Sequence, residues 1–112
     1  MASNRREDFL KEDVLLSDFA KSMGHPARIA ILKELAERNE CICGEIVELL
    51  PLAQSTVSQH LQELKKAGLV KGTVNGVKSC YCINWENFEK LSGQLKDYLD
   101  LLTQYKNKNG CC

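Results

Sequence analysis

Six cysteines in 112 residues fall into three close pairs, Cys41-Ile42-Cys43, Cys80-Tyr81-Cys82 and Cys111-Cys112. Neighbouring thiols of this kind can ligate a soft metal or metalloid, or exchange with disulfides, and in both chemistries the thiolate is the reactive form. Cys41 and Cys43 stand at what reads as the start of a helix, where the backbone dipole lowers a thiol pKa. Ligation or redox chemistry is therefore expected there in preference to simple burial, although free cysteines also serve as small hydrophobes. Cys80 and Cys82 share one face of an expected strand, about 6.6 Å apart by the strand rise. That separation is near the upper limit for a disulfide, so packing is the role expected of them. Cys111 and Cys112 end a polar stretch that begins at Lys106 and has nothing to pack against.

A second set of residues suits a different chemistry. Between Gln54 and Ala67, Val57, Leu61 and Leu64 are spaced i, i+4 and i+7, one stripe of a 3.6-residue period. The other side carries Ser55, Gln59, Gln62 and Lys66, with Gln54, Thr56, Ser58 and His60 beside them. Short hydroxyls and amides can approach base edges, and glutamine pairs well with adenine, so this face is expected to read DNA in a major groove. His60 borders the apolar stripe and could serve either as a phosphate donor or as a satisfied core histidine.

The elements that position these residues follow from punctuation in the chain. Pro51 disfavours helix at Leu50 and lacks an amide hydrogen, so a helix carrying Ile46, Val47, Leu49 and Leu50 is expected to stop there. Gly68, after Lys65 and Lys66, stops the next helix. Two helices joined by a tight turn make a helix-turn-helix. Leu69 to Val74 and Val77 to Ile83 are rich in β-branched residues, and Asn75-Gly76 between them is a strong hairpin signal. Lys71, Asn75 and Lys78 would lie near the hairpin tip, where a wing touches the DNA backbone or minor groove.

Upstream, residues 7 to 23 form a helix with a broad apolar side, Gly24-His25-Pro26 breaks it, and Pro26 suits the first position of a second helix. Downstream, Asn84 is a good N-cap for a last helix. Phe88, Leu91, Leu95, Tyr98, Leu102 and Tyr105 are spaced 3, 4, 3, 4, 3 along it, an a/d seam expected to meet its own copy together with the first helix. The fold expected is mainly α with a β-hairpin wing (α+β), four helices, two strands and a fifth helix. A single DNA-binding and dimerisation domain covers residues 1–106, with a flexible cysteine-containing tail at 107–112.

Composition sets limits on function. The 15 basic and 15 acidic residues cancel, but residues 51–82 hold one acid, Glu63, against Lys65, Lys66, Lys71 and Lys78, so the helix-turn-helix segment is locally basic. No apolar run approaches the roughly 18 residues of a membrane span, and the N-terminus lacks an apolar signal region, so a cytoplasmic protein with no membrane partner is expected. Two histidines, no Gly-rich phosphate loop and no nucleophile-base-acid arrangement argue against an enzyme. A winged-helix protein-interaction module is the competing class.

With these residues placed, the chain resembles the ArsR/SmtB family of winged-helix repressors. The resemblance rests on Gly24-His25-Pro26-Ala27-Arg28-Ile29-Ala30-Ile31-Leu32, on Cys41-Ile42-Cys43-Gly44-Glu45-Ile46, on Gln54-Ser55-Thr56-Val57-Ser58-Gln59-His60-Leu61, and on the wing ending Cys80-Tyr81-Cys82-Ile83. It implies a homodimer on double-stranded DNA bearing an inverted repeat, released by a metal ion or another thiol-seeking effector. The Cys-x-Cys of the family's soft-metal sensors matches Cys41 and Cys43, which implies As(III), Sb(III) or a soft divalent metal as effector and no constitutive cofactor. The third cysteine of one arsenic-sensing type falls here on Ile46, and there is no cysteine before Cys41 to act as in the cadmium and lead sensors. The third ligand would then come from Cys111 or Cys112, with Cys80 or Cys82 behind them. The Asp/His/Glu zinc site of other members is replaced on the last helix by Trp85, Asn87, Tyr98 and Leu101. Redox and persulfide sensors in the family use a cysteine pair, so that chemistry stays open as well.

Overall fold

The computed structural model describes residues 6–38, 42–43, 50–75 and 78–106. A 3-10 turn at Arg6–Asp8 precedes α1 (Lys11–Ser22) and α2 (Pro26–Arg38), followed by β1 (Ile42–Cys43) and α3 (Gln54–Lys66). Then come β2 (Val70–Asn75), β3 (Lys78–Ile83) and α4 (Trp85–Gln104). Pro26 opens α2 as its fixed φ favours. The helix expected over 45–50 lies largely outside the described residues; Leu50, Pro51 and Leu52 are non-helical and lead directly into α3.

The apolar stripe of α3 is the centre of the core. Val57 and Leu64 are fully buried and Leu61 nearly so, against Ile31, Leu32 and Leu35 of α2, Phe19 of α1, and Leu69, Val70, Tyr81 and Ile83 of the hairpin. Burial of Leu or Val is worth about 1.5–3 kcal/mol per side chain, so this stripe fixes where the polar face of α3 looks. The helix ends in a Schellman arrangement: Gly68 takes φ 82°, its N–H donates to Lys65 O, and the Leu69 N–H donates to Leu64 O. The Asn84 side chain accepts from the Asn87 N–H at 3.2 Å and caps α4. Asn87 Nδ2 donates to Gly68 O at 2.8 Å, tying the start of α4 to the end of α3.

Two features differ from the sequence expectation. The sheet has three strands, order β1-β3-β2, because Ile42 and Cys43 pair antiparallel with Tyr81 and Cys80. Cys43 therefore lies in a short strand paired with the wing. Within the wing, Asn75 pairs with Lys78, Gly72 with Tyr81 and Val70 with Ile83, so the two connecting residues are 76 and 77, one further on than Asn75-Gly76. Both registers keep the same residues on each face, so alternation alone cannot choose between them. The choice is made at Gly72: a Cβ there would stand 2.7 Å from Tyr81 Cε1 and 2.9 Å from the Cys80 carbonyl oxygen. Only glycine admits the buried tyrosine ring opposite it.

Candidate nucleic-acid interface

With its stripe buried, α3 turns Ser55, Ser58, Gln59, Gln62, Lys65 and Lys66 to solvent, and Thr56 and His60 are half-buried at the edges. The first turn has no acidic residue, and the N-cap, Ala53, has no side-chain oxygen to satisfy the leading amides. Unsatisfied amides and the positive end of the helix dipole suit a phosphate there. At the other end of the face, Lys66 is 77% exposed in its side chain and approaches Glu63 no closer than 3.9 Å, too loose a pair to withdraw it from DNA. Lys71 is exposed on β2. Asn75 and Lys78 form the pair that closes the hairpin, so the structure brings their backbones to the wing tip. Their side chains, and that of Gln54, lie outside the described part.

His60 is the polar residue of α3 whose role the structure specifies most closely. Arg28 Nε donates to His60 Nδ1 at 3.1 Å, and Arg28 Nη1 donates to Ser22 O at 3.0 Å. The His25 ring lies 4.5 Å away, tilted by 45°, and its Nδ1 accepts from the Ala27 N–H. Burial, and then the charges of His25 and Arg28, hold the His60 pKa below that of an ordinary histidine. A neutral ring with Nδ1 as acceptor is what the Arg28 donor requires. His60 is thus a polar strut joining α3 to the start of α2, and its partners His25 and Arg28 line an open cleft of about 580 Å³ shared with Asp18, Lys21, Glu63 and Lys66. Signs are mixed around that cleft, so it does not read as an anion trap. The sequence reading missed this use of His25 and Arg28, although both sit in the Gly24-to-Leu32 motif. It also missed the tie made by Asn87, for which no sequence signal exists.

The cysteines are divided by the structure. Cys41, Cys111 and Cys112 lie outside the described residues, as does the expected tail at 107–112. Cys43 is placed directly across the ladder from Cys80. Cys80 and Cys82 are both half-buried on the face opposite the buried Tyr81, and Cys80 is disulfide-bonded. Simple packing, the role expected of Cys80, is therefore incomplete as a description. Among the described residues no three His, Cys, Asp or Glu side chains gather into a metal site.

The seam of α4 is split as well. Phe88, Leu91 and Leu95 pack on the chain's own core, with Phe88 edge-to-face against Phe19 at 6.0 Å and Trp85 at 5.8 Å. Tyr98, Leu102 and Tyr105 are exposed, alongside Leu99 and Leu101, and so are Phe9, Leu10 and Leu15 at the other end of the chain. No helix among the described residues is long and apolar enough to cross a membrane.

A buried α2–α3 core, a polar α3 face whose first turn carries no acid, and a flanking β-wing fit a winged-helix regulator of transcription, a DNA-binding class without catalytic activity. Residues 25–71 match the model of the bacterial regulatory protein arsR family. An HTH-type transcriptional regulator of Methanocaldococcus jannaschii is 43% identical over 68 residues, 60% of this chain and 75% of that protein. The arsenical resistance operon repressor of Bacillus subtilis is 30% identical over 93 residues, 82% of this chain and 85% of that repressor. The crystal structure of an ArsR family transcriptional regulator superposes with a TM-score of 0.70 at 18% identity, covering 85% of this chain and 97% of that one. The chain belongs to the ArsR family of transcriptional repressors.

Proposed function

We propose that this protein is a dimeric repressor that holds an inverted-repeat operator and releases it when a thiophilic effector, As(III), Sb(III) or a soft divalent metal, binds through Cys41 and Cys43. The observation that carries this reading is the pairing of β1 with β3. Cys43 lies on the strand that borders the wing and precedes Pro51 and α3, so a ligand gripping this pair pulls on both DNA-contacting elements at once. The name of the Bacillus subtilis relative favours a metalloid. Arsenite takes three thiolates; Ile46 cannot supply one, which leaves Cys111, Cys112 or Cys82, or Cys80 once reduced. To move the repressor from 99% bound to 99% free, the effector must favour the released form by about 5.5 kcal/mol, within reach of multiple sulfur ligation but not of one weak thiol contact.

The dimer in this reading is formed by the exposed end of α4 with the start of α1 from each copy. Two recognition helices then address half-sites about 10 base pairs apart. The test is an anisotropy titration of the reduced protein on an operator selected from randomised duplexes. Arsenite should release the wild type, while Cys41→Ser and Cys43→Ser stay bound. Release of the Cys41→Ser, Cys43→Ser double variant at the same arsenite concentration would place sensing elsewhere.

A further inference from the structure

The register of the small sheet puts two of the chain's cysteines face to face. Cys43 on β1 is the Cα partner of Cys80 on β3. In an antiparallel ladder directly opposed residues have Cα atoms roughly 4.5–5.5 Å apart and side chains on one face, inside the range a disulfide spans. Cys80 and Cys82, by contrast, are neighbours along one strand and sit about 6.6 Å apart, at the edge of that range. Tyr81 between them is buried, so the face holding Cys80 is the one turned away from the core. Cys80 itself is half-buried and disulfide-bonded, while Cys82 on the same face keeps its thiol.

We infer that Cys43 and Cys80 form a reversible cross-strand disulfide that fastens β1 to the wing and, by consuming the Cys43 thiolate, makes the repressor unresponsive to its effector. The second half of this statement rests on the effector reading above; the first does not. The oxidant is a low-molecular-weight disulfide, RSSR. One protein thiolate attacks a sulfur of RSSR, forming a mixed disulfide and expelling one RS⁻. The other protein thiolate then attacks the protein sulfur of that mixed disulfide and expels the second RS⁻. The S–S bond of RSSR is broken and one between Cys43 and Cys80 is made. Two electrons pass from the protein to the reagent, and the two thiol protons end on two RSH. A dithiol reverses both steps, and partial exposure of Cys80 keeps the bond within its reach.

The closure matters because of what the two residues join. Cys43 precedes Pro51 and α3, whereas Cys80 is in the strand that returns from the wing tip. Bridging them closes a loop that contains all of α3 and β2, and such a loop loses much of its freedom in the unfolded chain. The oxidised protein is therefore more stable, with β1 held covalently to the wing.

Peptide mapping of the full chain after treatment with oxidised glutathione, alkylation and non-reducing tryptic digestion tests the bond. Segment 39–65 should appear joined to segment 79–90 within one copy, and the pair should vanish with dithiothreitol or in Cys80→Ser and Cys43→Ser. A variant with Cys41, Cys82, Cys111 and Cys112 all changed to Ser should still give it, with a thermal midpoint at least about 5 °C above that of its reduced form. Absence of the joined peptide from the full chain, its persistence in Cys80→Ser, or its appearance only between copies would overturn the assignment. On operator DNA, arsenite should release the reduced wild type but not the oxidised wild type. Equal release of oxidised and reduced wild type would refute the silencing. If the joined peptide forms and reduced wild type ignores arsenite, the effector reading fails and the disulfide stands.

Discussion

Leu102→Glu should convert the proposed dimer to monomers without unfolding the chain. Leu102 lies on the outer half of the α4 seam and is 50% exposed, so half of its side chain remains to be covered by a second copy. Full burial of a leucine is worth about 1.5–3 kcal/mol, so covering the remaining half contributes roughly 0.8–1.5 kcal/mol per copy. A two-fold axis doubles this to about 1.5–3 kcal/mol per dimer, a 10- to 150-fold weakening of the dimer dissociation constant. A carboxylate placed in the seam adds a desolvation penalty, so the measured change should lie at or above that range. Leu95→Glu is the informative contrast. Leu95 packs on the core of its own chain, and a charge there should lower the unfolding midpoint as well as disturb the dimer. Sedimentation velocity across a hundredfold concentration range, with far-UV circular dichroism as the check on folding, reads both effects. A Leu102→Glu protein that sediments as the wild-type dimer would show that the exposed half of α4 is not the interface.

Gln59→Ala should cost about 1–3 kcal/mol on the selected operator and relax base preference, provided the glutamine makes a bidentate base contact. Lys71→Ala should instead weaken matched and scrambled duplexes alike and reduce the salt slope by about one ion; identical behaviour of the two variants would contradict the division of roles between α3 and the wing. Gly72→Ala should destabilise the domain by about 1–3 kcal/mol in urea denaturation, because the new methyl must displace the Tyr81 ring or the strand, and an unchanged midpoint would count against the register. The lowered His60 pKa means that the unfolded chain binds a proton more readily than the folded one. Stability should therefore be unaffected by this residue above the ordinary histidine pKa, and should fall as pH drops from that value through the folded pKa. His60→Gln should flatten that decline in denaturation midpoints compared at pH 7.5 and 5.5.

Periodicity and punctuation were enough for most of the architecture. The Val57, Leu61 and Leu64 stripe determined which side of α3 is buried, and so which residues can face DNA, because a 3.6-residue repeat has one solution once a core exists. Pro26, Gly68 and Asn84 marked helix ends through backbone constraints that act locally. Residues Leu69 to Ile83 announced a hairpin by composition and turn type. Four features were decided only by tertiary structure, each because it depends on residues far apart in the chain. The pairing of Ile42 and Cys43 with β3 added an edge strand to the sheet, since two residues carry too little pattern to declare a strand. The wing register was chosen by Gly72 meeting Tyr81, a steric fact between residues nine positions apart that alternation cannot see. The α4 seam, uniform in spacing, was divided by where the core ends, so that Leu95 serves the fold and Leu102 faces outward. Likewise His60, ambiguous on its own helix, received its partner from Arg28 across 32 positions of sequence, a contact that exists only after α2 and α3 have packed.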